Sequence, residues 1–182
     1  THLLRAMIEA ELKNSCFASI FDPEVAEQAH AAGTGATIDI ELGGKHDDLH
    51  GKPITTSAYV KSLTDGRFTL TAFAPGMKMD LGKCARLSID DIDVIVASAQ
   101  SQIFDPEIFL LHGIDVTRRD VVALKSSAHF RAGFRELAKE IITTDPPGVT
   151  TSHVEVFDRR RADGKLWPRD EDAAYTPRSG QE

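Results

Sequence analysis

Seven consecutive residues, Lys125-Ser126-Ser127-Ala128-His129-Phe130-Arg131, bring together two hydroxyls, an imidazole and two cations. Groups of these types hold a carboxylate or phosphate, or steady a developing oxyanion, when they converge on one point. They follow the apolar run Val121-Val122-Ala123-Leu124 and open a segment with Phe130, Phe134, Leu137 and Ile141 at helical spacing. That order predicts a buried strand turning tightly onto an amphipathic helix. A helix start carries unpaired N–H groups and the positive end of the peptide dipoles, so the junction reads as an anion site. Lys125, Ser126 and Ser127 are assigned to substrate binding. His129 and Arg131, on opposite flanks of Phe130, are assigned to stabilising the substrate or an oxyanion. The plainer alternative is a serine-capped helix with solvated charges.

A second candidate is Gly43-Gly44-Lys45-His46-Asp47-Asp48-Leu49-His50-Gly51, which follows a strand. Gly43-Gly44 lets backbone N–H groups approach a ligand closely, and Gly44 and Lys45 join the substrate-binding set. His46, His50 and a neighbouring Asp match metal ligands in type. The H-x-x-x-H spacing needs a helix, however, and glycines on both sides argue for a solvated loop. No HExxH, cysteine knuckle, Walker loop or GxSxG elbow occurs. The polar stretch Ser98-Ala99-Gln100-Ser101-Gln102 offers neutral hydrogen-bonding groups for the same cleft edge.

The elements that must position these residues fit a chain of 182 residues with 41% hydrophobic content, enough for one domain with a substantial core. A net charge of −7 argues against a nucleic-acid partner. Cys16 and Cys84 lie in apolar runs and read as buried strand thiols. No apolar stretch is long enough to span a bilayer, no secretory h-region is present, and a cytoplasmic location is expected. Leu3, Leu4, Met7, Ile8 and Leu12 keep helical spacing. A strand over Phe17 to Phe21 then meets Asp22-Pro23-Glu24, a helix start with an aspartate cap. Ile20-Phe21-Asp22-Pro23-Glu24 recurs as Ile103-Phe104-Asp105-Pro106-Glu107, by shared capping chemistry or by duplication. Between the two copies Ala36 to Leu42 alternates as a half-buried strand. Ile54 to Leu63 and Phe68 to Ala74 flank Asp65-Gly66 as one hairpin, and Cys84 to Ile89 and Ile92 to Ser98 flank Asp90-Asp91 as another. The fold expected is α/β with α+β character: one domain with a mixed sheet, antiparallel central hairpins, βα units at both ends and helices packed on the sheet. Residues 1–157 form that domain, and 158–182, rich in charge and proline, form a loosely ordered tail.

In order along the chain, Ser19-Ile20-Phe21-Asp22-Pro23-Glu24, Leu42-Gly43-Gly44-Lys45, Gln102-Ile103-Phe104-Asp105-Pro106-Glu107, Lys125 to Ala132 and Pro147-Gly148-Val149-Thr150 resemble the C-terminal domain of the microcystinase C (MlrC) family of zinc metallopeptidases. The likeness runs from about residue 2 to Trp167-Pro168. The resemblance implies a zinc site in a separate N-terminal metal-binding domain, which becomes a partner of this one, and no zinc ligand in this chain. It implies a peptide or amide substrate held by the Lys125-to-Arg131 junction and the Lys45 loop. The chain then reads as the C-terminal, substrate-side domain of a zinc-dependent peptidase or amidohydrolase. The rival reading is a non-catalytic domain that binds an anion or a partner, and self-association into a homo-oligomer stays open.

Overall fold

A computed structural model describes residues 1–148, 165–167 and 170–174. Thr1–Pro147 form one compact unit and Gly148–Glu182 a second. In the second, Leu166 N–H donates to Asp170 Oδ2 at 2.8 Å and Lys165 pairs with Asp172. Most of the expected 158–182 tail lies outside the described residues.

Helix α1 (His2–Glu9) buries Leu4 and Met7, as its apolar spacing requires. Strand β1 (Ser15–Phe21) is buried up to its last residue. Helix α2 (Pro23–Ala32) starts where Asp22 Oδ1 accepts the Val25 N–H at 3.1 Å, and it stops at Gly33, whose φ of +82° continues no helix. Strand β2 (Thr37–Leu42) alternates exposed and buried positions. Then come β3 (Ile54–Thr64), β4 (Arg67–Thr69), β5 (Lys78–Asp80), β6 (Cys84–Ile89) and β7 (Ile92–Ala97). Helix α3 (Glu107–Leu111), a 3₁₀ turn at Val116–Arg118, β8 (Val121–Leu124) and the single-turn helix α4 (Arg131–Phe134) complete the described elements.

The main sheet has the order β2-β3-β6-β7-β1-β8, with β1 parallel to β7 and β8 and the remaining neighbours antiparallel. It is the mixed sheet expected, with one correction. Asp90-Asp91 joins β6 to β7 as a hairpin, but Asp65-Gly66 links β3 to β4 without pairing them. Strand β3 pairs with β6 instead, and β4 pairs with β5 in a separate two-stranded ribbon. The buried run Cys84–Ile89 offers β3 a fuller ladder than the short Arg67–Thr69 can.

The helices split between the two faces. Leu4, Met7, Val25, Ala26 and Ala29 from α1 and α2 pack with Phe17, Ile40, Val60, Leu87, Val94 and Val96. On the other face Ile108 and Phe109 of α3, Ile114, Val116 and Phe134 cover Cys16, Ala18, Ile95 and Ala97. Both cysteines are free and buried, and burial pushes each thiol up to about 12. At the amino end of β7, Asp93 is buried between Lys61 at 2.9 Å and Arg86 and Arg119 at 2.7 Å each. Burial raises its pKa, but Arg86 and Lys61 outweigh that cost and hold the carboxyl below its ordinary range.

Candidate functional site

Strands β1, β7 and β8 run in parallel, so their carboxyl ends share one edge, where open sheets bind ligands. Asp22 continues β1 and donates its N–H to Ala97 O at 3.0 Å. Lys125 continues β8 and donates to Ala18 O at 3.1 Å, while Ile103 N–H reaches Lys125 O at 3.1 Å. The residues of interest therefore leave the sheet side by side.

Each Phe-Asp-Pro-Glu copy clasps a distant loop. In the first, Asp22 Oδ2 accepts the Gly43 N–H at 2.8 Å, and Lys45 Nζ sits 3.1 Å from Asp22 Oδ1 and 2.9 Å from Glu24 Oε2. The Phe21 ring stacks on His46 at 4.9 Å. In the second, Asp105 Oδ2 accepts three N–H groups, from Thr71, Ala72 and Phe73, at 3.0, 2.8 and 3.2 Å. Thr71 Oγ1 donates to Glu107 Oε1 at 3.0 Å, and the Phe104 ring packs on Phe73 at 4.7 Å. The aspartate holds loop backbone, the glutamate holds a loop side chain, and the phenylalanine stacks on a loop ring. Asp105 still accepts the Glu107 N–H at 3.1 Å, but Pro106 occupies the cap position of α3.

Lys45 is therefore a loop anchor in its own right. Burial disfavours its charge, yet Glu24 and Asp22 outweigh that and hold its pKa above the ordinary lysine range. Gly44 is required by close approach: a Cβ there would lie 2.5 Å from Gly51 O in a φ of +64°. The far side of the loop is moored to α1, where Arg5 donates to Lys52 O and Pro53 O at 3.1 Å each. The Thr1 amino group donates to His50 O at 2.7 Å, and its pKa is pushed down by burial first, then by Arg5 and Lys125. The charge of Lys125 is thus felt at the mooring of this loop.

The junction differs from the helix start read in the sequence. Helix α4 covers only Arg131–Phe134, too short to gather a useful dipole, and Leu137 is exposed rather than packed. Gly133 explains the short turn. A Cβ there would meet Pro106 Cδ at 2.8 Å and Phe104 O at 2.9 Å, so close packing onto the second clasp takes precedence over helix continuation. Ser126 Oγ accepts the Phe130 N–H at 3.3 Å, the plainer capping-type role. Ser127 is exposed and lends its carbonyl to Arg131 Nη1 at 3.2 Å, while the Arg131 guanidinium lies 4.7 Å above the Phe130 ring. Lys125 is exposed and has no ion-pair partner among the described residues. His129 turns the other way, with Nδ1 3.0 Å from Gln102 Oε1 and Phe73 against its ring at 5.1 Å.

These residues do not fit a zinc site. His46 is stacked on Phe21, and His50 Nδ1 is held by Asp47 at 2.6 Å. Among the described residues no three His, Cys, Asp or Glu side chains gather closely enough to hold a metal ion. No helix among them is long and apolar enough to cross a membrane. Asp105 and the Thr71–Phe73 loop escaped the sequence reading as site-forming residues, because the contact spans more than thirty positions; the repeated Asp-Pro-Glu was the available signal.

The family model described as MlrC C-terminus matches residues 1–161. Microcystinase C of Sphingomonas sp is 29% identical over 140 residues, which cover 77% of this chain and 27% of that protein. The crystal structure of the "Putative metallopeptidase" of Mesorhizobium sp. BNC1 has a TM-score of 0.75 at 26% identity and covers 81% of this chain and 30% of its own. The chain thus spans under a third of the length of either relative, and it belongs to the MlrC C-terminal family.

Proposed function

We propose that this member of the MlrC C-terminal family is the substrate-side domain of a zinc-dependent peptidase or amidohydrolase, with the zinc held by a separate N-terminal domain. The family match supports the peptidase association, and the short coverage of the longer relatives supports a second domain. The observation that carries the reading is the exposed, mixed basic and hydroxyl edge at the carboxyl ends of β1, β7 and β8.

At this edge each group has a definite task. Lys125 supplies positive charge for a substrate carboxylate or carbonyl oxygen, free of competition from a protein carboxylate among the described residues. Arg131, tethered through Ser127 O and the Phe130 ring, adds a second charge held near one geometry. Ser126 and Ser127 shape the turn that presents them, and Gly44 and Lys45 fix the adjoining loop wall. Zinc chemistry belongs to the other domain, and the residues here bind and orient.

Metal stoichiometry and turnover test the reading together. The 182-residue chain is expected to retain no stoichiometric zinc, whereas the two-domain protein retains it. Lys125→Ala and Arg131→Ala in the two-domain protein are expected to lower kcat/KM for peptide hydrolysis at least about tenfold each, the size of a lost charged hydrogen bond. Unchanged kinetics in both variants, with melting temperatures preserved, would refute the substrate-side role.

A further inference from the structure

His129 is seated by residues from separate segments, none of them charged. Its Nδ1 lies 3.0 Å from Gln102 Oε1. A carbonyl-type oxygen only accepts, so this contact calls for a proton on Nδ1. In the neutral ring that puts the lone pair on Nε2, which has no hydrogen-bond partner among the described residues. Phe73 lies against the imidazole at 5.1 Å with the rings tilted by 37°, and Phe104 meets it edge-on at 6.4 Å. Phe73 is itself fixed, because its own N–H and those of Thr71 and Ala72 all end on Asp105 Oδ2. The following turn rests on the same support through the close approach of Gly133 to Pro106 and Phe104. The ring is held on three sides and exposed on the fourth.

We propose that Gln102 and Phe73 are positioning residues for His129, Gln102 fixing the Nδ1-protonated tautomer and Phe73 the ring orientation, so that Nε2 accepts a hydrogen bond from an N–H of the bound peptide or amide. The ligand half of this assignment rests on the substrate-side reading above; the tautomer half does not. A carboxylate in place of Gln102 would favour a charged imidazolium and a donor at Nε2, whereas the amide brings no charge to the seat. An imidazole with its only proton committed to Gln102 has no donor left for an oxyanion. Positive charge at the edge therefore falls to Lys125 and Arg131, and His129 reads the substrate's N–H, as a peptide group or a primary amide presents it.

Two-bond ¹H–¹⁵N correlation spectra of the imidazoles in the 182-residue chain test the seat directly. The wild type is expected to show His129 protonated at Nδ1, and Gln102→Leu to move it toward the Nε2-protonated form that an unconstrained histidine prefers. An Nε2-protonated ring in the wild type, or no change in Gln102→Leu, overturns the assignment. Phe73→Ala, which leaves Gln102 in place, guards against misfolding of the first variant. It is expected to keep the tautomer and to broaden or shift the ring resonances. The ligand half is read in the two-domain protein with a linear peptide p-nitroanilide and its backbone N-methyl counterparts. Methylation of the recognised nitrogen is expected to lower kcat/KM about tenfold in the wild type, the worth of one hydrogen bond, and to add no such penalty in His129→Ala. Equal penalties in both proteins overturn the acceptor role. Normal peptide hydrolysis by His129→Ala and Lys125→Ala would sink the substrate-side reading instead, while the tautomer spectra would stand.

Discussion

The same residues, Ile-Phe-Asp-Pro-Glu, stand at two places in this molecule and do the same mechanical work with different consequences. At Asp22 the clasped loop brings a lysine, and the clasp neutralises it with two carboxylates. At Asp105 the clasped loop brings an aromatic ring, and the clasp turns it into a wall for His129. The motif sets where the carboxylate points; the content of the loop decides whether the result is a sealed joint or an open seat. The first clasp also caps the ten-residue helix α2, while the second opens only the five-residue α3.

If the clasps differ in this way, removing their carboxylates should have unequal effects. Asp22→Ala deletes a helix cap, strands the Gly43 N–H and leaves Lys45 with Glu24 alone, so a loss of about 3–4 kcal/mol is expected in urea denaturation. Asp105→Ala leaves part-buried loop N–H groups that water can reach, for an expected loss of about 2 kcal/mol. Its larger effect should fall on the His129 ring resonances. Equal stability losses with an unmoved His129 would erase the distinction.

Acid sensitivity must be assigned before it is credited to either clasp. His112 is buried beside Ser62 Oγ at 2.9 Å, and burial, then Arg86 and His30, push its pKa down to about 4. The unfolded chain takes up this proton near pH 6.5 and the folded chain near 4, so the stabilisation is complete above about 6.5 and is lost as pH falls toward 4. That window is worth at most about 3 kcal/mol, and His112→Gln should flatten it in chemical denaturation at successive pH values. Asp93, held below its ordinary range, adds a further loss at more acidic pH as it protonates.

The glycines give the smallest contrast. Gly44→Ala should cost about 2 kcal/mol, because both the positive φ and the contact with Gly51 O oppose a side chain. Gly133→Ala meets a proline ring edge and a carbonyl without a positive φ, so about 1 kcal/mol is expected, partly offset by better helix propensity. Thermal melts of the two variants check the order.

Local chemistry was legible in the sequence, and distant pairing was not. The Asp22 cap and the Asp90-Asp91 hairpin each depend on residues within a few positions of one another. The Asp65-Gly66 turn carried an equally clear local signal, yet β3 took its partner further downstream, where a longer and more buried strand was on offer. The amphipathic spacing from Phe130 to Ile141 promised a helix, but no core surface meets Leu137, and Gly133 is committed to packing. The residue types of the site were readable from Lys125 to Arg131. Their directions were not, since Gln102, Phe73 and Asp105 reach the junction through tertiary contacts alone.

The most direct test is His129→Ala in the proposed two-domain protein, with zinc content and kcat/KM for peptide hydrolysis measured on the same preparation. A full complement of zinc with kcat/KM lowered at least about tenfold is expected. Wild-type kinetics at full zinc occupancy, or loss of zinc along with activity, would contradict the substrate-side reading.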